Sequence, residues 1–234
     1  MKFSIATLVG AVAALAACTQ AAPLEKRVSG VPGFDISRYQ SNVDFNQAKA
    51  NGARFVIIKA TEGTTVKSSA FSSQYTGATN AGLIRGAYHF ARPDSSGGAA
   101  QANFFLNNGG GWSSDGRTLP GMLDLESSSG VATCYGLSRS QLVSWISDFG
   151  ETYRSSTGRY PMIYTNSGWW NQCVASSAFA SNYPLVVASY SSSPKIPTGF
   201  STYSFWQYAD SGTYPGDQDT WNGNLDNLQK FASG

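Results

Sequence analysis

Two carboxylic acids two residues apart, Asp124 and Glu126, close the run Pro120-Gly121-Met122-Leu123-Asp124-Leu125-Glu126. The run reads as a buried strand, and strand side chains alternate faces, so both acids point the same way. Two carboxylates side by side at a buried strand end are costly to desolvate and hard to ionise together. General acid/base chemistry is the commonest reason to keep such a pair. The competing reading is an acid pair that hydrogen-bonds a loop or caps a helix. Other residues with chemical potential also fall near the ends of apolar runs. Asp35 lies in Gly33 to Ser37, Lys59 and Glu62 belong to or follow Phe55 to Ala60, and Tyr88 and His89 end Ile84 to Phe90. Tyr164 ends the run from Pro161 to Thr165, and Trp206 lies within Tyr203 to Tyr208.

Strand-like and helix-like segments alternate from Gly33 onward. Phe55-Val56-Ile57-Ile58-Lys59-Ala60 is a near-continuous apolar run, the mark of a parallel strand buried on both faces. Helices are expected from an Asp44 cap to about Asn51, from Ser69 to Asn80, and from Gly98 to Leu106. A longer one starts at Ser138, with Leu142, Trp145, Ile146 and Phe149 on one face. Further strands are expected at Met122 to Leu125, Pro161 to Thr165, Leu185 to Tyr190 and Tyr203 to Tyr208, with helices weak or missing between the late ones. About eight strands and five helices indicate an α/β parallel barrel whose last third has lost helices, an open doubly wound sheet being the alternative. In a parallel barrel the chemistry sits at the C-terminal ends of the strands, where these acids fall. No glycine-rich phosphate loop follows a strand, which disfavours nucleotide binding.

The N-terminal residues read as targeting. Lys2 is a positive start, Ile5 to Ala17 is apolar, and small residues follow to Ala22, a pattern of a cleaved secretory signal rather than a membrane span. Lys26-Arg27 then reads as the dibasic end of a short propeptide, so residues 1–27 are expected to be removed and 28–234 to form a single domain outside the cell. Without 1–27, Lys+Arg falls from 16 to 13 by loss of Lys2, Lys26 and Arg27, and Asp+Glu falls from 14 to 13 by loss of Glu25. The remainder is formally neutral and has no basic stripe for nucleic acid. Low charge with 25 glycines and abundant Ser, Asn and Tyr suits extracellular carbohydrate-active proteins. Of three cysteines Cys18 leaves with the signal, and Cys134 and Cys173 form an even pair in an oxidising route. A disulfide between them would close a loop of about 40 residues and stabilise by roughly 4 kcal/mol. A monomer is expected.

Several pieces, in order, resemble glycoside hydrolase family 25, the Chalaropsis-type lysozymes. They are Gly33-Phe34-Asp35-Ile36-Ser37, Phe55 through Gly63, Arg85-Gly86-Ala87-Tyr88-His89-Phe90 and Asp124-Leu125-Glu126. Tyr164-Thr165-Asn166, Trp206-Gln207-Tyr208 and Trp221-Asn222-Gly223 complete the series. Singly each is weak; their order and spacing are specific. The cysteine pair and the stretch near Trp112 are similar to the fungal branch. The resemblance implies an irregular (β/α)5(β)3 barrel with a long groove. It implies hydrolysis of the β-1,4 bond from N-acetylmuramic acid to N-acetylglucosamine in peptidoglycan glycan strands, with no cofactor and no metal.

Carried over, Glu126 is the general acid, Asp124 its partner acid, and Asp35 lies across the site. A fourth acid precedes the family's Asn-Gly; Asp217 is the preferred match, with Asp219 standing where many relatives have Asn. Burial and like-charge repulsion are expected to raise Glu126 and keep it protonated. The analogy favours retention through the substrate's own acetamido oxygen, with direct attack by Asp124 or Asp35, or inversion by a water held on Asp35, as rivals. Tyr88, Tyr164 and Trp206 are candidate sugar-stacking residues. Lys59 and Glu62 either pair beneath the site or touch substrate. His89, the single histidine, is either a hydrogen-bonded barrel residue or a substrate contact, and a lone imidazole is no metal constellation. Two other function classes compete. A chitinase-like barrel also uses Asp-x-Glu, and a catalytically silent sugar-binding protein would keep the groove and lose the acid.

Overall fold

The computed structural model describes residues 28–234; the expected signal and propeptide lie outside the described residues. Strand and helix alternate through the first two thirds of the chain. The order is β1 (Val31–Ile36), α1 (Phe45–Ala50), β2 (Phe55–Glu62), β3 (Val66–Lys67), α2 (Phe71–Asn80), β4 (Ile84–Phe90) and α3 (Gly98–Phe105). It continues with β5 (Met122–Asp124), α4 (Arg139–Thr157), β6 (Met162–Asn166) and α5 (Ser167–Cys173). Three strands then follow, β7 (Leu185–Ala188), β8 (Phe205–Ala209) and β9 (Asp217–Trp221), before α6 (Leu225–Ser233). The sheet runs β1-β9-β8-β7-β6-β5-β4-β2, and pairing of β1 with β2 closes it into an eight-stranded barrel. The short β3 folds back on β2 outside the ring.

The all-parallel barrel expected from the sequence needs one correction. β9 runs antiparallel to both β1 and β8. Only residues 210–216 join β8 to β9, too few for a crossover helix, so the chain must return as a hairpin. The turn depends on Gly216, whose φ of +74° is open to glycine, and whose Cβ would stand 2.2 Å from the Asp35 carbonyl oxygen. Gln218 clamps the same turn, accepting from the Tyr214 N–H and donating to the Tyr214 and Gly216 carbonyls. Reversal places the start of β9, Asp217, at the rim where the parallel strands end. Two helices beyond those expected also form, α5 after β6 and α6 after β9.

Local signals explain the expected helices. Asp44 accepts from the Gln47 N–H at the start of α1, and Ser138 with Gln141 forms a reciprocal capping box on α4. The buried stripe of α4, Leu142, Trp145, Ile146, Phe149 and Tyr153, packs with α3 over the outer face of the sheet. Gly98 permits that contact, since a Cβ there would meet the Trp145 carbonyl at 2.2 Å. Helices α1 and α2 cover a second outer cluster built on Phe34, Ile36, Val56 and Ile58. A disulfide joins Cys134, ahead of α4, to Cys173 at the end of α5, as the sequence led one to expect.

Inside the barrel the strands present Val31, Phe55, Ile57, Ile84, Met122, Met162, Val186, Phe205 and Trp221 in one apolar cluster. Helix α6 plugs this end. Its Leu228 and Ala232 are fully buried, and Phe231 packs against Phe205 and Trp221 with ring centroids 5.9 and 5.0 Å apart. Arg159 and Trp112 hold the helix by donating to the Phe231 and Ala232 carbonyls.

Candidate active site

Two or four residues further along, the inward faces of the same strands turn polar. The period of two carries Asp35 on β1, Lys59 on β2, Tyr88 on β4, Asp124 on β5, Tyr164 on β6 and Gln207 on β8 to one layer. The reversed β9 adds Asp217, opposite Asp35 in register, and Asp219, opposite Gly33 and Gln207. Glu126 follows β5 and lines a cavity of about 300 Å³ with Tyr164, Asn166, Ala188, Ser189 and Tyr190. On the other side of the rim, a 180 Å³ cavity is lined by Ser37, Arg38, Tyr39, Lys59, Glu62, Val66 and Ser68. Among the described residues the exposed aromatic side chains are Tyr39, at 79 %, and Tyr190, at 55 % exposure, and one stands in each cavity wall.

The acids raise one another. Burial and then the neighbouring Glu126 push Asp124 well above the usual carboxylate range. Burial and then Asp217 raise Glu126. Lys59 pulls both the other way without reversing either shift. Burial and then Asp217 lift Asp35 to about 7, and burial and then Asp210 lift Asp217 to about 6. Glu126 is raised as expected, and Asp124 beside it is raised as well. Asp124 is 6 % exposed, and its Oδ1 is buried without a hydrogen-bond partner.

A single amide organises the rest of the layer. Gln207 Nε2 donates to Asp35 Oδ2 at 2.6 Å and to Asp217 Oδ2 at 3.2 Å. Its Oε1 accepts from the Tyr164 and Tyr190 hydroxyls, both at 2.9 Å. All of its polar capacity toward the site is thus used, and both aspartates are held by one planar group. Gln207 is not among the site residues expected from the sequence; its neighbour Trp206 is. Trp206 is corrected accordingly: strand parity turns it to the outer face of β8. There its ring packs near Tyr208 and its Nε1 donates to the Ser189 carbonyl. It does not join the carboxylates. Tyr88 and Tyr164 do belong to the layer but as its floor, both desolvated; the accessible rings are Tyr39 and Tyr190, which the sequence reading did not single out.

Lys59 and Glu62 pair at 2.8 Å, and Arg92 reaches Glu62 at 3.3 Å and Asp94 at 2.9 Å. Burial alone would raise Glu62, but these two cations outweigh it and hold the carboxyl below its usual value. His89 faces outward into the α3 layer. Its Nε2 meets Gln101 Oε1 and its Nδ1 meets the Thr61 hydroxyl, an arrangement that suits the neutral ring with the proton on Nε2. Burial lowers it to about 4. It is a structural residue at the back of the sheet. Among the described residues no group of three or more His, Cys, Asp or Glu side chains is placed to hold a metal ion.

Comparison with known proteins agrees with this geometry. The pattern of Glycosyl hydrolases family 25 matches residues 34–217. An N,O-diacetylmuramidase of Arthroderma benhamiae is 55 % identical over 236 residues, covering 100 % of both chains. Lysozyme M1 of Streptomyces globisporus is 47 % identical, over 88 % of this chain and 72 % of its own. Among solved structures, a family GH25 lysozyme from Aspergillus fumigatus superimposes with a TM-score of 0.86 at 56 % identity, covering 88 % of this chain and 100 % of that one. A buried row of acids at the rim of a closed barrel, and this degree of likeness along the chain, lead to one conclusion: the protein belongs to glycosyl hydrolase family 25.

Proposed function

We propose that this chain is a secreted, monomeric muramidase. It hydrolyses the β-1,4 bond between N-acetylmuramic acid and N-acetylglucosamine in bacterial peptidoglycan, with retention of configuration. The observation that carries the reading is the Asp124–Glu126 pair, two acids of raised proton affinity side by side, one of them with a buried oxygen that lacks a donor. A substrate acetamido N–H supplies that donor. Donation to Asp124 favours its charged form, so the proton the two acids compete for moves to Glu126. Glu126 then protonates the leaving glycosidic oxygen. The acetamido oxygen attacks the anomeric carbon as the C–O bond breaks, and Asp124 stabilises the positive charge that spreads onto the acetamide nitrogen. Water opens the cyclic intermediate, and its proton returns to Glu126. Asp35 and Asp217, fixed by Gln207, add negative potential opposite the oxocarbenium-like centre.

The mature protein and its Glu126→Gln variant, assayed for reducing ends released from purified peptidoglycan with chitin alongside, test the reading. Muramic acid reducing ends are expected from the wild type. The variant loses about 10²–10⁴-fold, the usual worth of a general acid. Release from chitin alone would make the protein a chitinase-like enzyme, and binding without release a sugar-binding relative. Relatives bearing the name N,O-diacetylmuramidase support acceptance of 6-O-acetylated muramic acid; cleavage of deacetylated walls only would overturn that part.

A further inference from the structure

Asp219 has no task in the mechanism above, yet it is the most deeply placed acid in the barrel, 1 % exposed. Written as an anion it is untenable: both carboxylate oxygens are buried with no donor. Asp219 pairs in register with Gly33, and the next inward side chain of β1 is another acid, Asp35, close enough for the two carboxyls to interact by a hydrogen bond; two carboxyls bond each other only if one carries a proton. The surroundings decide which. Asp35 already receives the Gln207 amide at 2.6 Å, a contact that favours its charged form. Asp219 receives nothing. We propose that Asp219 is a standing carboxylic acid that donates its hydrogen to Asp35, a neutral positioning residue and not a further anion of the site.

The groups around it fit that assignment. From β1 it faces Asp35, along its own strand Asp217, and from β8 the already committed amide of Gln207. Lys59 from β2, Tyr88 from β4, Asp124 from β5, Tyr164 from β6 and Glu126 complete the layer. Both charged neighbours that act on Asp219, Asp35 and Asp217, repel a second negative charge there, on top of full burial. With Asp219 protonated, Asp35 accepts one hydrogen from Gln207 and one from Asp219. It can then remain a carboxylate inside the barrel at a pH where an isolated buried acid would not.

The proposal goes beyond the hydrolytic reading only in assigning this proton; its kinetic arm rests on Asp35 belonging to the site, and its spectroscopic arm does not. Infrared difference spectra of the full mature protein at neutral pH, wild type against Asp219→Asn, should show the carbonyl stretch of one protonated carboxylic acid lost in the variant. The pH profile of kcat/KM supplies the second readout. Asp219→Leu keeps the branched shape, though with more bulk, and removes the donor; it should move the acid limb up by about one pH unit, the worth of one charge-assisted hydrogen bond. Asp219→Asn restores a neutral donor and should bring the limb back to the wild-type position. An unchanged infrared band in Asp219→Asn shows Asp219 to be ionised and overturns the proposal. So does an acid limb shifted as far in Asn as in Leu. Should Asp219→Leu fail to fold, the infrared comparison and the Asn profile decide by themselves.

Discussion

The two halves of the barrel interior are made from the same strands and differ in almost everything else. At one end Phe55, Met122, Met162, Phe205 and Trp221 form an apolar cluster sealed by α6. At the other, two or four residues further along each parallel strand, stand Asp35, Lys59, Tyr88, Asp124, Tyr164 and Gln207. On the reversed β9 the order inverts: Trp221 lies at the apolar end, Asp219 above it and Asp217 at the rim. The sealed half is close-packed and stabilises the fold through burial. The open half holds five carboxyls at raised proton affinity, which burial alone disfavours. Stability and chemistry are thus separated along the strand axis, and substitutions in the two halves should fail in opposite ways.

The largest effects should separate the halves cleanly. Asp124→Asn is expected to lower kcat by about 10²–10³-fold, since it removes the charge that meets the developing cation. Its melting temperature at neutral pH should hold or rise, because a reluctant buried acid becomes neutral. Activity and thermal unfolding on the same preparation check both. Phe205→Ala should do the reverse. Phe205 meets Phe55 at 5.1 Å and Trp221 at 4.9 Å between ring centroids, and its loss should destabilise by about 3–5 kcal/mol. Denaturant unfolding measures that, while kcat of the folded fraction at low temperature should change little. A variant of either half that loses both properties together would dissolve the division.

A smaller effect follows from linkage. Asp35 holds its proton to about 7 in the folded protein against an ordinary 3.8. The folded state therefore binds more protons than the unfolded chain between those values, and stability falls as pH rises through that window. Asp35 alone accounts for up to about 4 kcal/mol. His89 acts in the opposite sense. It is lowered to about 4 from 6.5, so it weakens the fold as pH falls between those values. Both overlap with the other four raised carboxyls in a simple stability profile. Subtracting the profile of Asp35→Asn isolates the aspartate: relative to wild type, the variant should gain steadily from pH 4 to 7 and level off above. A constant difference across that range would show Asp35 to be unperturbed.

The same division governs how much could be read from sequence. Strands whose inward face begins apolar, such as Phe55 onward, announce themselves, and so does the Asp-x-Glu that ends β5. Strand β9 does not. Asp217-Gln218-Asp219-Thr220-Trp221 is polar enough to pass for a loop, because its inward face supplies the site and its outward Gln218 clamps a turn. Residue type favours Trp206 over Gln207. Placing Phe205 in the core would have turned Gln207 inward by parity alone. Helix α6 carried a readable pattern, an Asn224 cap followed by Leu225, Leu228, Phe231 and Ala232, but nothing in the sequence says that it plugs a barrel. The network joining two tyrosines, one amide and two aspartates is tertiary, drawn from four strands and a loop.

The smallest expected effect tests the network where it reaches solvent. Tyr190 is half exposed at the rim yet shares the Gln207 oxygen with the buried Tyr164. Tyr190→Phe removes one of the two hydroxyl donors and keeps the ring. The amide loses about 1 kcal/mol of restraint, so kcat should fall by about fivefold. KM and melting temperature should barely move, because the ring remains, both for contact with sugar and for its packing at the rim. Tyr190→Ala removes ring and hydroxyl together and should raise KM as well. If the Phe variant instead raised KM and spared kcat, Tyr190 would act through its surface alone. The open half of the barrel would then end at Gln207 and not at the rim.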